Sequence, residues 1–308
     1  MIRDPDTGSI TIHQKRKIDD LLQDLGYENL RPVSVPISTN VKLSRALCPQ
    51  TEEEKKGIDG SWYRKVVGSC MYLGVTVRPD IMCTVKTLAE AMDNPSHDHI
   101  NAAIHLLRYL AGTADYGITY YSLSDPKARN ENRTLTLHVF ADATWADDLH
   151  DGLSRSGMVI MLAGGPICWE SSQQVLVATS STYAEHIGQD LGARNLLFVK
   201  QFIEELGFPE DVQQKIFGKA VTPMGYAMPD INLYGDNLGA QALARNPINH
   251  KVSKGFLVKY HHIRDWLEKR LFQLHYVPTN HNTADIFTKA LDKQAFERHR
   301  ERMGMRPL

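Results

Sequence analysis

From Leu135 onward the apolar residues of this chain change their spacing. Leu135, Leu137 and Val139 alternate with polar residues, the period of a β-strand. Gly157–Leu162 and Pro166–Ser171 read as two further strands, joined through the turn residues Ala163, Gly164 and Gly165. A long helical stretch follows, "SSTYAEHIGQDLGARNLLFVKQFIEELG". After it come a strand at Ile231–Tyr234, a helix in "NLGAQALARN", a helix from about Val258 to Arg270, a strand at Phe272–Val277 and a C-terminal helix from about Thr283. Three antiparallel strands, then helix, strand, two helices, strand and helix, predict an α/β fold with a mixed five-stranded sheet.

The residues before this region are organised differently. Met1–Ile12 reads as a hairpin turning through Asp4–Ser9. A lone hairpin cannot bury a face, so its partner strands are expected to precede the chain. His13–Leu25 is a helix stopped by Gly26, with Ile18, Leu21, Leu22 and Leu25 on one face. Arg31–Gln50 is Pro-rich and extended, and Thr51–Lys56 is a charged helical start. Tyr63–Tyr120 carries three helical patterns with short polar connections, a small helical subdomain packed on itself. The polar, turn-rich stretch 122–134 separates residues 1–121 from a domain at 135–308.

Composition narrows the function classes. In 308 residues, 42% hydrophobic and 23% charged content belongs to an ordinary globular protein. No apolar run approaches the roughly 20 residues needed to span a bilayer, and no signal peptide is visible, so no membrane partner is expected. An intracellular place is expected. Cys48, Cys70, Cys83 and Cys168 lack any C-x-x-C spacing and read as reduced residues. A net charge of −1 makes no global case for nucleic acid, so binding must come from local patches.

Four acids occupy positions of one kind. Asp142 ends the first strand, Glu185 lies in the first turn of the long helix, Asp236 ends the fourth strand, and Asp285 opens the terminal helix. Sites in such sheets form outside strand ends, so the four can converge at one edge. Clustered carboxylates repel one another and are kept together mainly where a cation neutralises them; all-oxygen ligands select magnesium or manganese. Taken alone, Asp236 reads as a turn residue and Asp285 as a cap. Thr182 and Glu185 fit a capping box.

The ordered set "FADATWADD", "SRSGMVIMLAGGPICWESSQQ", "ATSSTYAEH", "LYGDN" and "YVPTNHNTADIFTKAL" resembles the ribonuclease H domain of copia-type LTR retrotransposon polyproteins. Upstream, "YRKVVGSCMYLGVTVRPDI" and "LLRYLAGTADYGITYY" resemble the segment joining reverse transcriptase to ribonuclease H in that family. Residues 1–121 then correspond to a mainly helical remnant of the reverse transcriptase palm, thumb and connection. The resemblance implies a ribonuclease H-like fold, with Asp142, Glu185, Asp236 and Asp285 as metal-binding catalytic acids. It implies hydrolysis of the RNA strand of an RNA–DNA hybrid by two Mg2+ or Mn2+ ions about 3.5–4 Å apart. His281 is a candidate proton-transfer or product-release residue. Ser180, Ser181, Asn237, Trp145 and Arg264 are candidate nucleic-acid contacts, hydroxyl readers or a stacking ring among them. Other polyprotein parts, palm and fingers included, are implied partners.

Departures from the family pattern weigh against full activity. "STEAE" has become Ser181-Thr-Tyr-Ala-Glu185, Leu153 stands where a cation is usual, and a basic "WKSKKQ" reads Trp169-Glu-Ser-Ser-Gln-Gln174. "TKHID" has become Ser253-Lys-Gly-Phe-Leu257, while His250 and Arg264 keep their places. Lost cations weaken phosphate contacts. The alternative is therefore an inactive remnant that binds nucleic acid or protein without cleaving. An integrase on a related fold would use three acids and leave Asp285 unexplained. No Tyr-x-Asp-Asp turn is present, so no polymerase activity is expected of these residues.

Overall fold

The computed structural model describes residues 1–122, 125–126, 135–147, 151–217, 220–221, 227–228, 231–245 and 257–308. Its first strands are β1 (Ile2–Arg3), β2 (Ile10–His13), β3 (Tyr116–Tyr120), β4 (His138–Thr144), β5 (Arg155–Leu162) and β6 (Gly165–Gln173). They are followed by β7 (Ala220–Val221), β8 (Ala227–Met228), β9 (Asn232–Gly235), β10 (Gln273–Tyr276) and β11 (Met305–Pro307). Helices α1 (Lys15–Asp24), α2 (Gly60–Thr76), α3 (Met82–Ala89) and α4 (His97–Gly112) precede the larger sheet. Helices α5 (Ser181–Glu205), α6 (Glu210–Phe217), α7 (Leu238–Arg245), α8 (Leu257–Glu268) and α9 (Lys293–Arg302) come after its first three strands.

The expected mixed sheet is present, in the order β10-β9-β4-β5-β6. β4, β5 and β6 are antiparallel, while β9 runs parallel to both β4 and β10. The β5–β6 turn is a two-residue connection in which Ala163 (φ 53°) and Gly164 (φ 81°) both take positive φ, the primed geometry that fits strand twist.

Both faces of this sheet are covered, which explains why β5 reads as the continuous apolar run Met158–Leu162. Met158 and Ile160 join a core with Ala193 and Leu196 of α5. Val159 and Met161 face the other way, into a core shared with Tyr63, Val66, Val67 and Leu106 of the helical region. The helical region is therefore not packed on itself alone. A sheet with two apolar faces needs two covering layers, and α2–α4 supply the second. Arg155 strengthens the join: its Nη2 donates to Glu90 Oε1 at 2.6 Å and its Nε reaches Asp147 Oδ2 at 3.4 Å.

The N-terminal hairpin also finds its partners within the chain. β1-β2-β3-β11 form a four-stranded sheet, with β2 antiparallel to β3 and β3 antiparallel to β11. The expectation placed the partners upstream of Met1, whereas β2 takes β3 of this chain; local periodicity cannot reveal a pairing between residues 10 and 120. Tyr116–Tyr120, expected to continue a helix, is the strand that makes this pairing. Thr51–Lys56 forms turns, not a helix, because Glu54 folds back to accept from the Gln50 and Thr51 N–H groups. Helix α6 had no sequence expectation. Residues 123–124 and 127–134 of the expected linker lie outside the described residues. Among the described residues, no helix is long and apolar enough to cross a membrane. Cys70 and Cys83 are buried free thiols, with Cys48 and Cys168 half-buried.

Two glycines allow the layers to close around Asp142. A Cβ on Gly188 of α5 would meet the Asp142 carbonyl oxygen at 2.8 Å, and one on Gly157 of β5 would meet Phe287 and Thr288 at 2.7 Å. Gly157 is the antiparallel partner of Asp142. Gly188→Ala should destabilise the protein by about 1–3 kcal/mol through overpacking against backbone, despite alanine's better helix propensity. Denaturant unfolding measures this; an unchanged midpoint would show that α5 can shift away from β4.

Candidate metal centre

Register places the first two acids. Phe140 of β4 is level with Tyr234 of β9 in a parallel pair, so two residues further on Asp142 is level with Asp236. β9 ends at Gly235 and Asp236 follows it, as expected. β4, however, continues to Thr144, so Asp142 lies inside its strand and not at its end. The antiparallel pairing with β5 through Thr144–Arg155 carries the strand past the site.

Glu185 reaches the same point from α5. Ser180 is the N-cap, its hydroxyl accepting from the Tyr183 N–H at 3.2 Å. The Thr182–Glu185 capping box is therefore incorrect, because the helix starts two residues earlier than that box requires. Glu185 is the fifth helical residue, past the first turn, and faces Asp142. One carboxylate oxygen from each of Asp142, Glu185 and Asp236 lies within 4.8 Å of the others.

Asp285 arrives by a third route. The loop after β10 is pinned by buried Asn282, whose Nδ2 donates to the Ala141 carbonyl at 3.0 Å. Asp285 then sits in a 3-10 turn, Thr283–Phe287, and not at the start of the terminal helix. That helix, α9, begins at Lys293 with Asp292 as its cap. The Thr288 hydroxyl donates to Asp142 Oδ2, and Lys289 Nζ pairs with Asp285 Oδ1 at 3.1 Å. Sequence reasoning missed Asn282, Thr288 and Lys289. The spacings of three and four residues from Asp285 to Thr288 and Lys289 are those that return to one helical face, a signal that could have found them.

The pocket gathers its carboxyl groups away from solvent. Asp142, Glu185 and Asp285 are 2%, 9% and 5% exposed. Burial, then Asp142 and Asp236, push the Glu185 carboxyl up to about 10. Burial, then Asp142, push Asp285 up to about 7, and burial also raises Asp142. A carboxyl whose folded pKa is raised stabilises the fold while it is protonated. That stability is complete below the ordinary values of 3.8 and 4.5, then lost as pH rises through about 7 and about 10. In chelator, the melting temperature should fall from about pH 5 toward pH 10, and Glu185→Gln should flatten the profile. A flat wild-type profile would count against mutual repulsion in this pocket.

The donor set suits a hard divalent cation. All its atoms are carboxylate oxygens, and Glu185 Oε2 and Asp236 Oδ1 are buried with no hydrogen-bond donor among the described residues.

The remaining candidates stand on several different elements. Trp145 is 51% exposed, its ring held by an Nε1–H bond to the Ala178 carbonyl. Ser181 is exposed beside the Ser180 cap. Asn237 Oδ1 accepts from the Ala240 N–H at the start of α7. His281 is exposed in the 3-10 turn Thr279–His281. Arg264 is half-buried on α8, with Nη2 3.5 Å from the Leu243 carbonyl. His250 and Ser253–Phe256 lie outside the described residues.

No family model matches the chain. It is 31% identical over 305 residues, 99% of its length, to the retrovirus-related Pol polyprotein from transposon TNT 1-94 of Nicotiana tabacum. It is 32% identical over 294 residues, 96% of its length, to the Pol polyprotein from transposon RE2 of Arabidopsis thaliana. The chain spans about a fifth of those relatives, 21% and 18% of their lengths. Among solved structures, the N-terminal RNase H domain of rv2228c from Mycobacterium tuberculosis aligns over 55% of this chain and 98% of its own, at 14% identity and a TM-score of 0.32.

Proposed function

Because the chain belongs to the copia-type retrotransposon Pol polyproteins, we propose that residues 135–308 are their ribonuclease H, hydrolysing the RNA strand of RNA–DNA hybrids. The observation that carries this is the convergence of Asp142, Glu185 and Asp236 on one point, with Asp285 beside them. A pair of divalent ions, Mg2+ or Mn2+, would there activate the attacking water and neutralise the leaving 3′ oxygen. Asp142, Glu185, Asp236 and Asp285 would hold the ions through their carboxylate oxygens. Thr288 fixes the Asp142 carboxylate, and Asn282 fixes the turn that carries Asp285. Exposed Trp145 would offer a stacking face, Ser180, Ser181 and Asn237 polar contacts, and Arg264 a cation for the nucleic-acid backbone. His281, exposed in its 3-10 turn, is the candidate for proton transfer or product release. The rest of the polyprotein would supply the polymerase.

The test is a labelled RNA–DNA hybrid with Mg2+ or Mn2+. Endonucleolytic products from the hybrid, none from duplex DNA, and loss of cleavage in chelator are expected. No cleavage across metals and salt would reject the reading. The alternative of a non-cleaving binder is supported by Glu170 and Leu153, which stand where the family carries cations. Retention of the intact hybrid on a filter without product would favour it.

A further inference from the structure

The anionic pocket contains a cation of its own. Lys289 follows the turn that carries Asp285, and its ammonium lies 3.1 Å from Asp285 Oδ1 with the side chain 37% exposed. Among the described residues it is the cation that acts on Asp142, Glu185 and Asp285 alike, and Asp236 attracts it too. The other nearby cation, Arg155, is engaged by Glu90 and Asp147. Lys289 also borders a cavity of ≈ 200 Å³ whose lining includes the cations Lys42 and Arg155 beside Glu90 and Asp147. With a third of its side chain exposed, the lysine stem is long and flexible enough to carry the ammonium off the acids toward solvent.

We propose that Lys289 is a tethered counter-ion that holds the metal centre's place: it pairs with Asp285 while no divalent ion is bound and swings off the acids toward solvent when one enters. This rests on the divalent-cation reading of the same pocket. Two consequences follow from charge alone. Without a divalent ion, Lys289 offsets part of the repulsion among four acids and so stabilises the fold. With one, its positive charge competes for the same oxygens and weakens the ion's binding.

The experiment compares the wild type with Lys289→Met, Lys289→Gln and Lys289→Arg by Mn2+ titration calorimetry and by melting in chelator and in saturating Mn2+. Lys289→Met should melt below wild type in chelator, bind Mn2+ about tenfold more tightly, and recover most of its melting temperature in Mn2+. Lys289→Gln should follow the same pattern if the methionine variant does not fold, and Lys289→Arg should resemble wild type. Unchanged or weaker Mn2+ binding in both neutral variants overturns the proposal, as does an equal loss of melting temperature with and without Mn2+. Saturable wild-type binding that Asp236→Asn abolishes but Lys289→Met leaves alone would reject the tethered ion and keep the metal centre. No saturable binding in the wild type would reject both.

Discussion

Asp142→Asn should reduce hybrid cleavage well beyond the roughly 10–100-fold that follows loss of a group merely supporting a metal ligand. The substitution preserves shape, and the amide oxygen can still accept from the Thr288 hydroxyl. What disappears is one negative charge at the centre of the pocket, level with Asp236 and within 4.8 Å of the Glu185 and Asp236 oxygens. The same change should leave the protein in chelator as stable as wild type or more so, because a buried carboxylate repelled by its neighbours becomes a neutral amide. Stabilisation by Mn2+ should vanish. Loss of activity with an undiminished or raised melting temperature in chelator separates a chemical role from a folding defect. Cleavage above about a tenth of wild type would place Asp142 outside the ligand set.

The second large effect lies in the helical region and concerns stability. Arg78 is fully buried, its Nε and Nη2 donating to the two Asp80 oxygens at 2.9 and 2.8 Å. It also donates to the Thr113 carbonyl and hydroxyl, while the Tyr109 hydroxyl donates to Asp80 Oδ2 at 2.6 Å. Arg300 of α9 reaches the Tyr109 hydroxyl, so the network ties α4 to the C-terminal helix. Arg78→Met should cost about 3–5 kcal/mol, since it leaves the Asp80 carboxylate buried without its ion partner. Arg78→Lys should also fail, because an ammonium cannot reproduce the two parallel bonds. Arg78→Met combined with Asp80→Leu should recover part of the loss, as removing both charges avoids the unpaired one. Chemical denaturation measures all three. A double variant no more stable than Arg78→Met alone would show that the cost lies in packing, not in charge.

The candidate acids were legible because each stands beside a sequence signal of an element end or turn. Asp142 follows an alternating run, Asp236 follows Leu233-Tyr234-Gly235, and Asp285 follows the polar Thr279–Thr283 stretch. Their elements were placed to within a few residues, with two local errors of consequence. β4 runs on past Asp142 because β5 pairs with it, and the turn carrying Asp285 is separate from α9 because Asp292 starts a new cap. Both errors arise from hydrogen bonds that local periodicity does not record.

The sequence by itself determined the α/β element order, the membership of the copia-type family and the residue types gathered at the site, since period, turn chemistry and ordered motifs are local properties. Only the tertiary structure decided that β3 and β11 complete the N-terminal sheet and that the helical region shares a core with β5. It likewise decided that Lys289 enters the acidic pocket. Those outcomes depend on covering both apolar faces of the sheet and on balancing charge across elements distant in the chain, and neither requirement leaves a trace in the spacing of neighbouring residues.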